Sequence, residues 1–323
     1  MDVPRETRRF SVPETARGSR LDLVLQGFVE GISRTRLQRL IKEGSVRWRG
    51  ETVAKPGTIL LEGGDLEVDL EVASGPTATA FEAADLTVLF EDGDLIVLDK
   101  PAGLLTHRNS PNGERGAADL MVERFGPMPS LDDESRPGVA HRLDRDTSGL
   151  LLFGRTESAL LNLKNQFRTR SVAKTYLALV HGAPRFDTDW IESWLGRTDT
   201  LRDRIGVVPE GEGRLATTYY EVRERYEGFA LLAVFPKTGR THQVRVHMAS
   251  AGMPLVGDDL YKPRGRAITK MRADAPPIAR HALHAHALGF THPRTGEALS
   301  FEAPLPADFA TLVAWLRTNA PQV

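Results

Sequence analysis

At 323 residues, 41% of them hydrophobic and 26% charged, the chain has the make-up of an ordinary globular protein of about two domains. It has no cysteine, no apolar run near the roughly 18 residues that cross a membrane and no signal-peptide core after Met1. Disulfides, thiolate chemistry and a membrane-spanning helix are thereby excluded, a cytoplasmic location is expected, and the net charge of −1 gives no overall sign of a nucleic-acid partner.

Residues 1–17 mix charge with Pro4 and Pro13 and read as an extended or frayed lead-in. Gly18 to Leu70 has the pattern of a compact unit. Leu21, Val24, Leu25 and Phe28 recur at helical spacing, and Ser33 is placed to cap a second helix whose apolar stripe is Leu37, Leu40 and Ile41. Arg34, Arg36, Arg39 and Lys42 fall outside that stripe, and Gly44 supplies the stop. Short strands are predicted at Val46–Trp48, Thr58–Leu61 and Leu66–Leu70, with turns near Arg49-Gly50 and at Gly63-Gly64-Asp65. Charge is segregated here, since residues 1–49 hold eleven Lys and Arg against six Asp and Glu. Two small helices, a basic helix face and a β-ribbon, with Gly-Ser-Arg-Leu-Asp from Gly18, Ser-Arg-Thr-Arg-Leu from Ser33 and Lys55-Pro56-Gly57, resemble the S-four-type RNA-binding module. That module is first named for small-subunit ribosomal protein four. The resemblance implies phosphate contacts by Arg34, Arg36, Arg39 and Lys42, which add affinity without reading sequence. From the residues alone, the same face is equally a solubilising helix surface. Residues 1–70 are assigned to this small domain, with its core at 18–70.

Residues 71–84, where Ala, Ser, Gly, Pro and Thr cluster, read as a linker. The chain then turns acidic, with twelve Asp and Glu against four Lys and Arg over 81–135. Thr87–Glu91 and Leu95–Asp99 are apolar runs about Asp92-Gly93-Asp94, a hairpin signal. One helix, Ala117–Phe125, is predicted within the Gly-, Pro- and acid-rich stretch 109–137.

Gly138 to Phe153 carries the chemistry. Val139-Ala140 and Leu150-Leu151-Leu152-Phe153 read as buried strands flanking a charged connection of His141, Arg142, Asp144, Arg145, Asp146, Thr147 and Ser148. Two acids and two arginines within five positions suit a carboxylate held in its ionised form. A solvated charged turn is the bland alternative. His-Arg-Leu-Asp-Arg-Asp-Thr-Ser-Gly-Leu-Leu-Leu-Phe, residues 141–153, resembles the signature of the RluA-type pseudouridine synthases, which isomerise uridine in structured RNA. The kinase His-Arg-Asp loop is a superficial rival, unaccompanied by a glycine-rich phosphate loop, a Val-Ala-Ile-Lys strand or an Asp-Phe-Gly segment. The resemblance puts the family's catalytic Asp on Asp144. It puts the arginine that fills the stack left by a flipped nucleotide on Arg142, and assigns His141 and Arg145 to RNA binding. Upstream, Asp99 to His107 resembles the family's first motif, ending in Leu-Thr-His-Arg where the family more often has Val-Val-His-Pro.

Thr156 is placed to cap a helix in which Leu160, Leu163 and Phe167 share a core-facing side. Arg168, Arg170 and Lys174 lead into a strand, Ala173–His181, and residues 141–185 hold eight Lys and Arg against three Asp and Glu. Period-two alternation puts Lys174, Tyr176, Ala178 and Val180 on one side and Thr175, Leu177 and Leu179 on the other. The run from Lys174 to Gly182 resembles the family's second motif, whose Tyr sits against the target base. Tyr176 takes that place, with Lys174 as an RNA contact. Residues 186–216 read as loop-rich, followed by a strand entered at Arg214 and another at Phe229–Phe235. Lys237 to His247 lies at a strand-to-helix junction and resembles the third motif, whose arginine pairs with the catalytic carboxylate. Arg245 takes that role, and Arg240 and His242 are assigned as RNA contacts. His281, His284 and His286 have ligand-like spacing. Yet His284 and His286 share a strand face, His281 points away and no carboxylate cluster follows, so structural histidines are preferred and no metal is assigned. A strand at 299–303 and an amphipathic segment near Phe309–Leu316 close the chain.

These elements predict an α+β fold, with a mixed, largely antiparallel β-sheet in a catalytic domain at 85–323, preceded by the small helix–helix–β domain. The resemblance implies an isomerase, an RNA pseudouridine synthase with Asp144 as nucleophile and no cofactor. It also implies a monomeric chain and an RNA substrate, ribosomal RNA of the large subunit ahead of transfer RNA. The alternative from another class is a catalytically silent RNA-binding or ribosome-assembly protein.

Overall fold

The computed structural model describes residues 5–29, 34–71, 81–108, 113–131, 133–182, 184–198, 201–262 and 269–320. The chain divides into two compact units, Met1–Ala80 with Asn112–Glu114, and Phe81–Pro111 with Arg115–Val323. No helix among the described residues is long and apolar enough to cross a membrane.

In the first unit, β1 (Arg5–Val12), β2 (Val46–Trp48), β3 (Glu51–Thr52) and β4 (Gly64–Glu71) form an antiparallel sheet in the order β1-β4-β2-β3. Leu21 and Leu25 of α1 (Leu21–Phe28) and Leu37, Leu40 and Ile41 of α2 (Arg34–Lys42) bury with Val46, Leu66 and Val68, as their spacing predicts. Ser33, expected as the cap of α2, and residues 72–80 of the expected linker lie outside the described residues. Two elements differ from expectation. Of the two forms expected for the lead-in, extended or frayed, it takes the extended one, but as a sheet strand that was not foreseen, since β1 pairs along all eight of its residues with β4. Phe10 and Val12 turn inward while Arg9 and Ser11 stay exposed, an alternation too short to stand out. Thr58–Leu61 is not a strand of the sheet. Leu60 and Thr58 instead bond the backbone of Gly18, Ser19 and Leu21 at the entrance of α1, and only Leu60 is buried between exposed Ile59 and Leu61.

The second unit is built on a sheet of ten strands among the described residues. These are β5 (Thr87–Glu91), β6 (Leu95–Lys100), β7 (Ser148–Gly154), β8 (Ala173–His181), β9 (Thr188–Thr198), β10 (Leu201–Val208), β11 (Arg214–Tyr226), β12 (Phe229–Pro236), β13 (Leu283–Thr291) and β14 (Ala298–Glu302). Their order is β10-β9-β11-β12-β8-β13-β7-β6-β5, with β14 beside β13. Every pairing is antiparallel except β13 with β7, so the sheet is mixed and largely antiparallel, as predicted. Helices lie on both faces. Leu151 and Phe153 pack with α3 (Ala117–Phe125), while their neighbours Leu150 and Leu152 pack with Leu160 and Leu163 of α4 (Glu157–Thr169). Ala178 and Val180 meet α5 (Gln243–Ser250), and Leu179 meets α6 (Ala307–Asn319). This is the alternation expected of β8.

The one parallel contact sets where the polar connection 141–147 leaves the sheet. It is only two residue pairs long, His284 with Ser148 and Ala285 with Gly149. Gly149 adopts φ +108°, and a Cβ there would stand 2.2 Å from the Ala285 carbonyl oxygen, so only glycine lets the strands approach. Farther along β7, the segment 138–140 takes the place of β13, through Ala140 N–H to Leu152 O and Gly154 N–H to Gly138 O. Val139-Ala140 is therefore not a strand but a single bridge, Val139 to Phe153. The polar connection departs at this break. The other correction is at 186–216, expected as loop and found as the β9–β10 hairpin. Of the eleven residues of β9 only Leu195 is buried, so no alternation of apolar residues marked it.

Candidate active site

The backbone around Asp144 is held from both sides. Thr106 Oγ1 accepts from Leu143 N–H at 3.0 Å and donates to Leu143 O at 2.9 Å. The buried Lys100 ammonium donates to the carbonyls of Pro101, Leu104 and Arg145 at 2.8, 2.8 and 2.9 Å. Three donors meet three acceptors, so the first-motif segment clamps the residues flanking Asp144. His141 accepts from Leu152 N–H at 3.2 Å and stacks on Phe167 with ring centroids 4.4 Å apart. Burial and the nearby Lys174 charge push its imidazole down to about 3, which keeps it neutral.

Asp144 opens into a cleft of about 580 Å³. Its Oδ2 accepts from Arg245 Nη1 at 3.1 Å and lies 3.9 Å from His242 Nε2. Arg245 sits on α5, where the remaining edge of its guanidinium is used completely. Nε and Nη2 donate to the two oxygens of Asp258 at 2.8 and 3.0 Å. Asp258 Oδ1 also accepts from the N–H groups of Leu260 and Tyr261. Burial alone would raise the Asp258 carboxyl, but the Arg245 bonds and charge outweigh it and hold it below the usual range. Tyr261 shares a hydrogen bond with His242 Nδ1 at 2.8 Å and lies under the Arg245 guanidinium, 5.1 Å from ring centroid to Cζ. His242 itself takes a left-handed conformation, φ +53°, at the start of α5, and burial lowers its imidazole. Gln243 braces the approach. Its Oε1 accepts from Thr238 Oγ1 and Arg240 N–H, and its Nε2 donates to Thr217 O and Thr218 Oγ1.

Tyr176 lines the cleft from β8, and burial together with the Asp144 charge raises its phenol, so the hydroxyl stays protonated. Lys174 lines it as well, pulled down to about 8 by burial and by the charges of Lys237 and Arg170. Seven cations line the cleft, Arg142, Arg168, Arg170, Lys174, Lys237, Arg240 and Arg245, against one carboxylate, Asp144.

The structure thus brings together His141, Arg142, Asp144, Lys174, Tyr176, Arg240, His242 and Arg245 from distant parts of the sequence. Arg145 is not among the lining residues. Its carbonyl is tied to Lys100 and Gly103, and its guanidinium reaches toward Gly103 O at 3.5 Å. Lys42 is exposed on α2 of the first unit, and the side chains of Arg34, Arg36 and Arg39 lie outside the described residues. Phe167, expected in the core, is corrected to a cleft residue that also packs inward, because the end of α4 reaches the cleft. Asp258, Tyr261 and the bracing role of Gln243 were missed. The only sequence signal for Asp258 is turn chemistry, an acid after Gly257 bonding backbone N–H groups two and three residues on. His281 shares a hydrogen bond with Thr147 at 2.8 Å. His284 uses both ring nitrogens, on Ser148 and Ala303 O, and His286 also bonds Ala303 O.

A single carboxylate bonded to a guanidinium, in a tyrosine-walled cleft lined with cations, makes this cleft the candidate active site. Residues 94–250 match the family model described as RNA pseudouridylate synthase. Ribosomal large subunit pseudouridine synthase D of Xanthomonas campestris is 38% identical over 318 residues, covering 97% of this chain and 93% of that protein. The uncharacterized RNA pseudouridine synthase YlyB of Bacillus subtilis is 35% identical over 310 residues, 96% of this chain and 98% of its own. Among solved structures, human RNA pseudouridylate synthase domain containing 4 aligns with TM-score 0.56 and 25% identity over 71% of this chain and 92% of that one. The chain belongs to the RluA-type RNA pseudouridine synthase family, and its enzyme class is isomerase.

Proposed function

We propose that the protein converts uridine to pseudouridine in large-subunit ribosomal RNA, in the cytoplasm and as a monomer, with Asp144 as nucleophile. The observation that carries this reading is the Asp144–Arg245 pair at 3.1 Å inside a cationic cleft. The choice of large-subunit RNA over transfer RNA is supported by the relatives named for that substrate. Uridine in folded RNA hides its glycosidic bond, so the nucleotide must be extruded, at a cost of about a few kcal/mol. Arg142, exposed at the cleft, has the planar, charged, stacking side chain suited to fill the gap. Asp144 then attacks the anomeric carbon or the base, or takes a proton in a glycal route. The C1′–N1 bond breaks, the uracil turns, and a C1′–C5 bond forms. One proton leaves C5 and one is gained at N1, with no redox change. Arg245 orients the carboxylate throughout, and His141, Lys174, Arg240 and His242 meet the RNA around it. Tyr176, its phenol kept protonated, serves by packing its ring on the uracil and donating a hydrogen bond. Arg145 contributes from the turn beside Asp144.

The first unit is read as the S-four-type RNA-binding domain, residues 1–70, joined by a linker at 71–84 to the catalytic domain at 85–323. Arg34, Arg36, Arg39 and Lys42 are its phosphate contacts. Asp144→Asn tests the central assignment. Carbodiimide mapping of ribosomal RNA from a deletion strain carrying this variant should lack the modification that the wild-type gene restores, while RNA affinity of the purified variant is kept. A variant that restores the modification at the wild-type level removes Asp144 from the chemistry.

A further inference from the structure

A second buried guanidinium reaches the catalytic turn, that of Arg280, which is 9% exposed and lies outside every motif segment. Its Nε and Nη2 donate to the two oxygens of Asp308, in the first turn of α6, at 2.7 and 2.9 Å. On the other edge, Nη1 meets three carbonyls, those of Asp146, His281 and Leu283, at 3.1, 3.3 and 3.4 Å. Two of these carbonyls belong to the next few residues, and bonds to them shape the segment that Arg280 itself is in. The shortest bond goes instead to Asp146, 134 positions away in sequence and two residues past Asp144. Pairing with Asp308 suffices to dock α6. It does not account for the donor given to Asp146 O.

The residues after Arg280 reach the site as well. His281 shares a hydrogen bond with Thr147 Oγ1 at 2.8 Å, and Thr147 N–H in turn donates to Asp144 O at 3.2 Å. Ala282 N–H donates to Val256 O at 2.8 Å. Gly257, with φ +75°, packs so closely that a Cβ there would stand 2.1 Å from Arg280 O. The next residue is Asp258, the acid that grips Arg245. Residues 280–282 therefore touch both halves of the ion pair's support, the turn that carries Asp144 and the turn that aims Arg245. Val256, Ala282, Phe309 and Leu312 share one buried cluster, so α6 backs both turns.

We propose that Arg280 is a positioning residue for the reaction: by tying Asp146 O to the start of α6, it fixes the turn that carries Asp144 relative to the turn that aims Arg245. This rests on the pseudouridine reading of the cleft. Its consequence is that a helix with no residue in the cleft lining sets the geometry inside the cleft.

Three variants of the full chain separate positioning from support of the fold. Asp308→Asn loosens the grip without touching the turn. Asparagine will place its one acceptor where Arg280 Nη2–H and Phe309 N–H converge, and its NH2 then faces Arg280 Nε–H. Arg280→Met removes the donors and keeps an apolar stem. Leu312→Ala opens a cavity under the same helix and leaves Arg280 intact. Urea unfolding ranks their stabilities. Single-turnover pseudouridine formation is then measured at saturating in vitro transcribed large-subunit ribosomal RNA, with each variant fully folded. Asp308→Asn should lower the rate about tenfold and Arg280→Met about 100-fold, both at wild-type RNA affinity. Leu312→Ala should lower the urea midpoint and keep the wild-type rate. A wild-type rate in Asp308→Asn, or an equal loss in Leu312→Ala, overturns the positioning role, whether or not Arg280→Met folds. If the wild-type protein forms no pseudouridine, the reading of the cleft fails instead, and amide hydrogen exchange still decides the role of Arg280. Peptides spanning 143–147 should exchange faster in Asp308→Asn than in the wild type, and equal exchange overturns the anchor.

Discussion

Asp258→Asn is the sharpest test of how the site is held. Asp258 Oδ1 takes three bonds, from Arg245 Nη2 and the N–H groups of Leu260 and Tyr261, whereas Oδ2 takes one, from Arg245 Nε. Asparagine has one acceptor oxygen and will place it where three donors converge. Its NH2 then faces Arg245 Nε–H, donor against donor, in a spot where the native carboxylate has no exposure. One charge-assisted hydrogen bond is lost, which costs about 1.5–3 kcal/mol of stability. The guanidinium, no longer gripped along its far edge, swings toward Asp144 and displaces it. A misplacement of roughly 1 Å at a reacting group lowers turnover on the order of 100-fold. Urea unfolding measures the first quantity, and single-turnover pseudouridine formation under conditions where the variant is fully folded measures the second. A residue that merely supports the fold would lower the unfolding midpoint and leave that rate alone. A wild-type single-turnover rate in folded Asp258→Asn therefore refutes the idea that Asp258 positions Arg245 for catalysis.

Deleting residues 1–75 should weaken RNA binding and make it less steeply salt-dependent, because the phosphate contacts proposed for the first unit are removed, while slow modification persists; a filter-binding salt titration that superimposes on the full-length curve would reject the RNA-binding reading of that unit. Acid should destabilise the protein through its buried imidazoles. Burial holds His247 and His284 down to about 4, against 6.5 in an unfolded chain. Between those values the unfolded chain binds the extra protons, so the stabilisation present above about 6.5 is lost as pH falls toward 4, by about 2 kcal/mol per histidine at pH 5. Urea midpoints that do not move between pH 7 and pH 5 would contradict this, and His247→Gln should make the loss shallower.

How far the sequence led depended on how many side chains each element buries. β7 was legible because all seven of its residues are buried, and α2 because Leu37, Leu40 and Ile41 form one stripe. The Asp92-Gly93-Asp94 hairpin was legible from turn residues between apolar runs. β1 and β9 were not, since a strand that buries only one or two side chains writes no period into its composition. Phe167 shows the converse limit. Helical spacing identifies a buried face, but whether the last turn of that face meets core or cleft depends on where the helix ends in space.

The site divides along a related line. Asp144, Tyr176 and Arg245 were found because each sits in a run whose residue types resemble a family motif, although 101 positions separate the two members of the ion pair. The resemblance said which guanidinium meets the carboxylate and nothing about what aims it. That task falls to Asp258 in a short turn after α5, to Tyr261 beneath the guanidinium, and to Lys100 and Thr106, which clamp the backbone on either side of Asp144. A carboxylate among seven cations would be drawn toward whichever was nearest if its neighbours were free to move. Because Arg245 is locked on Asp258 along one edge, it offers Asp144 a single N–H group in a fixed direction. The rigid presentation of one cation to Asp144, among the seven that line the cleft, is set by Asp258, an acid outside the motifs.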